Sequence, residues 1–171
     1  VDIQKWEKFK KLYNKHEYIY TSSNKNKNIS NINPISRSYF KIYEIIKDYD
    51  AEISGDLIRE SAPIIIDLKN YFNRPRPKNV AGKMNISMDD IEMDSMKTMS
   101  YPSGHSAQAF LIAGVLGDQY PSKRRDFKRL AKKISYSRRV AHAHYKTDSK
   151  FGELLGKSMY KHIKNKQSWW R

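Results

Sequence analysis

The sequence predicts an all-α chain, folded as a single-domain helical bundle. Three observations predict it. Apolar residues recur at three- and four-residue steps in one window after another, the spacing that gathers them on one helix face. No convincing strand hairpin and no internal repeat breaks that pattern. At 171 residues, the chain suits one domain and is long enough to enclose a core.

The elements follow in order. Trp6, Phe9, Leu12, Tyr13 and His16 mark an amphipathic helix, followed by the polar, aperiodic loop Thr21–Asn33. Residues 1–33 therefore read as an N-terminal helix and loop. Pro34 opens a second periodic segment with Ile35, Tyr39, Ile42, Tyr43 and Ile46 on one face, and proline is well tolerated in a first turn. A third helix, Ser61–Phe72, is expected to be buried on much of its circumference and to stop before Pro75 and Pro77. Lys78 to Ser100 lacks a period and reads as a long loop, a length that often carries function. A fourth helix follows Ser103 and runs to about Asp118. A fifth covers roughly Lys123 to His142, with Phe127, Leu130, Ala131 and Ile134 facing in. Asp148 can cap a sixth, in which Phe151, Leu154, Leu155, Met159, His162 and Ile163 keep the period.

Composition narrows the function classes. With no cysteine, disulfides and thiolate chemistry are excluded. The longest apolar run, Ala109 to Gly117, is too short for a bilayer span, which needs roughly 20 residues, so the chain reads as soluble with no transmembrane segment. The formal charge of +15 suits acidic partners: phosphorylated small molecules, an anionic membrane surface or nucleic acid. The chain begins at Val1. A periplasmic or secreted location follows if a signal peptide was removed before it, and a cytoplasmic one otherwise.

Three short stretches could carry chemistry, each at the edge of a predicted helix. "KNYFNRPRP" holds Lys69, Arg74 and Arg76; "PSGH" runs from Pro102 to His105; "SRRVAHAHYKTD" holds Arg138, Arg139, His142, His144 and Asp148. Singly, each has a plainer reading as surface charge, helix start or cap. Together they supply what phosphoryl transfer needs. Arginine forks and a lysine can bind non-bridging oxygens. The backbone N–H groups of Ser103 and Gly104, at a helix N-terminus, can receive an oxyanion. Two histidines can divide attack on phosphorus from protonation of the leaving oxygen. Asp148 lies four residues after His144, on the same helical face, and could accept its Nδ1–H. His142 and His144 have a spacing that metal ligands also use, but no HExxH, cysteine or carboxylate cluster accompanies them.

These blocks resemble the signature of the type 2 phosphatidic acid phosphatase superfamily. Lys69 is followed by six residues and Arg76-Pro77; Pro102-Ser103-Gly104-His105 is intact; Ser137-Arg138, five residues, His144, three residues and Asp148 complete it. The resemblance covers roughly Pro63 to Ile163, the motif-bearing core. Within the superfamily the layout is most similar to the bacterial class A non-specific acid phosphatases, themselves related to vanadium haloperoxidases. The resemblance implies an all-helical fold of that type and a phosphatase without a metal cofactor, whose site phosphate or vanadate can occupy. It implies that His144 is the nucleophile, Asp148 its orienting carboxylate and His105 the proton donor. Lys69, Arg76, Ser103, Gly104 and Arg138 would bind the phosphoryl oxygens. His142 stands where family members usually carry a small residue, and Arg139 where an aliphatic one is common.

The expected function is hydrolysis of small soluble phosphate monoesters through a phosphohistidine. The alternatives are a lipid phosphate phosphatase at a membrane surface and a vanadate-dependent haloperoxidase. Peripheral membrane contact is conceivable through the terminal "SWWR", and a homo-oligomer is open. A non-enzymatic nucleic-acid binder has only the charge in its favour, because the basic residues are not grouped with aromatics.

Overall fold

The computed structural model describes residues 46–87 and 96–168. The expected helix Trp6–His16, the loop Thr21–Asn33 and the segment opened by Pro34 lie outside the described residues, apart from Ile46. So do residues 88–95 of the expected loop and residues 169–171. Among the described residues the chain is helical and carries no strand, in the order α1 (Ala51–Phe72), α2 (Pro77–Lys83), α3 (Gly104–Gln119), a 3-10 turn (Pro121–Lys123), α4 (Arg124–Val140) and α5 (Lys146–Ser168).

Helix α3 is the centre. Its apolar residues surround the axis instead of forming a stripe, as befits a helix enclosed by neighbours. Ala107, Ala109, Phe110, Leu111, Ile112, Ala113 and Leu116 are all buried. Its main neighbours are α4 and α5, with α1 on a further side. Phe127, Ala131 and Ile134 of α4 close on Phe110, Ile112, Ala113 and Leu116, and Ile46 completes the cluster at 0% exposure.

Helix α1 begins ten residues earlier than the periodicity predicts. Asp50 caps it, accepting from Ile53 N at 3.2 Å, and Glu52 sits in the first turn where a carboxylate suits the dipole. Pro63 lies inside this helix rather than near its start. It removes one backbone donor. The expectation of burial around much of the helix is also overturned. Ser54, Ser61, Ile65 and Lys69 form one inward stripe, while Ile64 and Ile66 are 47% and 37% exposed. Asn73 ends α1 in the left-handed region at φ 44°, a conformation asparagine tolerates, and its N–H closes on Lys69 O at 2.9 Å. That turn brings Arg74 and Arg76 back under the helix end. The segment read as loop from Lys78 then starts with helix α2, with Pro77 in its first turn.

Asp148 does not cap α5 as expected. The helix starts earlier, with Ser149 N donating to Tyr145 O at 3.2 Å, and Asp148 in its first turn reaches back to accept from Tyr145 N at 3.0 Å. This is the reciprocal half of a capping box. Leu154 and His162, expected to face in, are exposed. Buried Gly152 and Gly156 occupy the contact with α3 instead. A Cβ at Gly152 would lie 2.5 Å from Ser103 O, and one at Gly156 would lie 2.2 Å from Ala107 O. The two backbones touch, so the seam has no room for leucine.

Candidate active site

Three helix ends meet where the glycine seam brings α3 and α5 together. Ser103 N donates to Asp148 O at 3.1 Å, tying the start of α3 to the first turn of α5. Ser103 is the N-cap of α3, its Oγ accepting from Ser106 N at 3.4 Å, with Ser106 Oγ 3.0 Å away. This corrects part of the sequence reading: the Ser103 backbone N–H is already spent. The Gly104 N–H, which precedes any helical acceptor, and the Ser103 hydroxyl proton stand beside it at the start of the helix.

The C-terminal end of α1 and the turn after it supply cations. Lys69, though 4% exposed, is tethered through Nζ to Met99 O at 2.5 Å. Arg76, equally buried, donates from Nε to Thr98 O at 2.8 Å and from Nη1 to Ala143 O at 2.7 Å. Main-chain oxygens thus neutralise part of the cost of burying each charge, without supplying a counter-charge. Burial, then repulsion from Arg76, lowers the Lys69 ammonium to about 8, against the pull of Asp148. Burial, then Arg138, lowers Arg76 to about 10, again opposed by Asp148.

His144 is buried between a cation and a carboxylate. Its Nε2 lies 3.1 Å from Arg76 Nη1, and its Nδ1 lies 3.4 Å from Asp148 Oδ2. A guanidinium has no acceptor, so the first contact requires a lone pair on Nε2 and puts the proton of the neutral ring on Nδ1, facing the carboxylate. Burial is the main reason the imidazole's proton affinity falls, to about 4; Asp148 resists, and Arg76, Arg138 and Lys69 add to the fall. Unfolded histidine titrates near 6.5. The unfolded chain therefore binds the proton first, and this group's contribution to stability is lost as pH falls from 6.5 toward about 4.

Asp148 is fully buried. Oδ1 accepts from Arg74 Nη1 at 2.8 Å, while Oδ2 accepts from the Ser100 hydroxyl and from Tyr145 N at 3.0 Å. Burial alone would raise this carboxyl. The hydrogen bonds from His144, Ser100 and the Tyr145 backbone outweigh it and hold the group below the usual carboxylate range.

His105 sits in the first turn of α3 and feels Arg138, His144, Arg76 and Lys69. Burial first, then these four groups in that order, push its proton affinity well below the ordinary histidine value. Residues from all three sequence blocks thus share one electrostatic neighbourhood. His142 adjoins it, 3% exposed and in the left-handed region at φ 50°, just past the end of α4. That conformation explains why a small residue suits the position. Sequence reasoning assigned no role to Arg74 beyond its charge and passed over Ser100 and the carbonyls of Thr98, Met99 and Ala143. Among the described residues, no group of three or more His, Cys, Asp and Glu side chains is gathered to hold a metal, and no helix is long and apolar enough to cross a membrane.

An all-helical fold thus gathers a helix N-terminus, buried cations and a histidine backed by a carboxylate in one neighbourhood. The chain matches the PAP2 superfamily over residues 58–170 and belongs to it. It is similar to the non-specific acid phosphatases of Salmonella typhimurium and Salmonella typhi, each 32% identical over 88 residues, which is 52% of this chain and 35% of the relative. The aligned stretch thus spans about a third of the length of these curated relatives. No solved structure matches.

Proposed function

We propose that the chain is a phosphatase that hydrolyses phosphate monoesters through a phosphohistidine on His144. The observation that carries this is the two-sided setting of His144: Nε2 faces the Arg76 guanidinium at 3.1 Å and Nδ1 faces a buried carboxylate at 3.4 Å. The Salmonella relatives, named as non-specific acid phosphatases, support the same reading.

When an ester binds, Arg76 turns its fork to a phosphoryl oxygen and uncovers the Nε2 lone pair. Lys69, Arg138, the Ser103 hydroxyl and the Gly104 N–H hold the remaining oxygens. Nε2 forms a bond to phosphorus as the ester P–O bond breaks, and His105 gives its proton to the leaving oxygen, releasing the alcohol. Asp148 stabilises the positive ring. Neutral His105 then takes a proton from water, the oxygen attacks phosphorus, and the P–N bond breaks to give phosphate. The charge stabilisation comes from side chains, so a chelator should leave the rate of p-nitrophenyl phosphate cleavage unchanged. Loss of activity with chelator, restored by a divalent cation, would overturn metal independence. Vanadate should inhibit competitively by occupying the same pocket.

Burial, and after it the surrounding cations, disfavour the protonated His105 that the first step needs. The substrate supplies the difference: a dianion set among Lys69, Arg76 and Arg138 offsets the burial penalty and cancels the repulsion. Binding of sulfate, which carries two negative charges without titrating near neutrality, should therefore take up about one proton near pH 6. Calorimetry in two buffers of different ionisation enthalpy reads this directly. Zero uptake would remove His105 as the proton donor.

The exposed rings favour a second reading. Tyr71 (81% exposed) and Phe72 end α1 close to Lys69, and Phe72 packs edge-on against Tyr101 at 4.8 Å. Such a rim could rest on lipid, which suits a lipid phosphate phosphatase. Phosphate release from phosphatidate vesicles, compared with a soluble ester, separates the two.

A further inference from the structure

The clamp behind Asp148 involves a residue that phosphate binding does not use. Arg74 Nη1 donates to Asp148 Oδ1 at 2.8 Å and to Thr147 Oγ1 at 2.7 Å, while the guanidinium lies 4.3 Å from the Tyr145 ring centroid. Its side chain is 38% exposed while Asp148 is sealed from solvent, so a half-exposed cation backs a buried anion. The other oxygen of Asp148 faces His144, Ser100 and Tyr145 N.

A carboxylate on a short side chain can rotate, exchanging Oδ1 and Oδ2 or turning both away from the imidazole. Ser100 and Tyr145 N hold Oδ2 against that rotation, and the anchor on the oxygen distal to His144 comes from a different segment, the turn after α1. One further contact holds that segment in place: Ser100 N donates to Arg74 O at 2.8 Å. We infer that Arg74 is a positioning residue: it locks Asp148 in the rotamer that keeps Oδ2 on His144 Nδ1, and so fixes the tautomer that leaves the Nε2 lone pair free. The groups facing His144 from the other elements are Lys69 of α1, Arg76, His105 of α3 and Arg138 of α4. They act on the imidazole through their charge, and Arg76 touches it at 3.1 Å, whereas Arg74 works through the carboxylate. The inference rests on the phosphatase reading for its kinetic consequences only.

The test uses the full chain, Arg74→Gln and Arg74→Lys. In proton NMR the buried Nδ1–H of His144, 3.4 Å from a carboxylate oxygen, should give a low-field resonance, assigned by its loss in Asp148→Asn. Arg74→Gln should weaken or abolish that resonance and lower kcat about 10- to 100-fold, the scale of a misplaced reacting group. KM and the inhibition constant of inorganic phosphate should stay within about twofold, because Arg74 does not touch the ligand. Arg74→Lys, which keeps a cationic donor, should recover most of both signals. An unchanged resonance and kcat in Arg74→Gln would overturn the inference. So would a phosphate inhibition constant that weakens as much as kcat falls, which would place the guanidinium on the ligand. If Arg74→Gln does not fold, Thr147→Val, at an exposed position, removes the second anchor of the same guanidinium. It should shift the resonance and lower kcat severalfold, and no change in either counts against the inference. The resonance does not depend on turnover. An inactive wild-type protein with the expected NMR behaviour would defeat the phosphatase reading and leave this one standing.

Discussion

Replacing His144 with alanine is expected to abolish turnover while leaving the fold intact. Its Nε2 is the nucleophile of the proposed reaction, and no neighbour can take over. His105 belongs to another helix and is assigned to the leaving group, and His142 is held in a separate, left-handed turn. Loss of a nucleophile that acts as part of a unit lowers kcat by roughly 10⁴-fold or more. The fold should survive because the partners of His144 keep other contacts. Arg76 Nη1 retains Ala143 O, and Asp148 retains Arg74, Ser100 and Tyr145 N. Phosphate release, an acid-labile phosphoryl adduct present only in the wild type, and a thermal melt check the three parts. Cleavage at the wild-type rate would mean that another group attacks phosphorus.

The second large effect belongs to the α3–α5 seam. Alanine is the better helix former by about 1 kcal/mol, so Gly152→Ala and Gly156→Ala would stabilise an unpacked helix. Here the added methyl meets backbone. It lies 2.2 Å from Ala107 O at position 156 and 2.5 Å from Ser103 O at position 152. Carbonyls cannot swing aside as a side-chain end can, so the helices must separate. Each substitution should cost about 1–3 kcal/mol net, with position 156 the worse. Gly55→Ala is the control, because nothing lies within 4 Å of its added methyl; it should gain about 0.5–1 kcal/mol. Urea denaturation measures all three. Gly152→Ala should also lower activity beyond its effect on stability, because it pushes Ser103 from Asp148. Equal stability of Gly156→Ala and wild type would contradict the close approach of these helices.

Where a segment announces itself chemically, sequence and structure agree. Helix α3 is legible because Ser103 caps an unbroken apolar run, and α4 because Phe127, Ala131 and Ile134 repeat at helical spacing. The first ten residues of helix α1 go unread because polar Ser54, Gly55 and Asp56 and charged Arg59 and Glu60 interrupt Ile53, Leu57 and Ile58, which pack against the core. Pro63 inside it imitates a start. Helix α2 has seven residues, of which only Pro77 and Ala81 are buried, too few to establish a period. The three blocks stand out in the sequence because their side chains carry the chemistry. Their supports do not, because carbonyl oxygens exist at every residue and Arg74 looks like any other surface cation until Asp148 is seen beneath it. The glycine seam is hidden for a related reason: no pattern of apolar residues reports a contact made by backbone.

The main-chain tethers also bear on how freely the site can change. Met99 holds Lys69 through its carbonyl while its own side chain is 37% exposed, so almost any residue there could keep the lysine where it is. Ala143 serves Arg76 in the same way. Charge placement is thereby uncoupled from side-chain identity at these positions. Drift or laboratory selection could change the side chain at position 99 without moving the ammonium that its carbonyl holds.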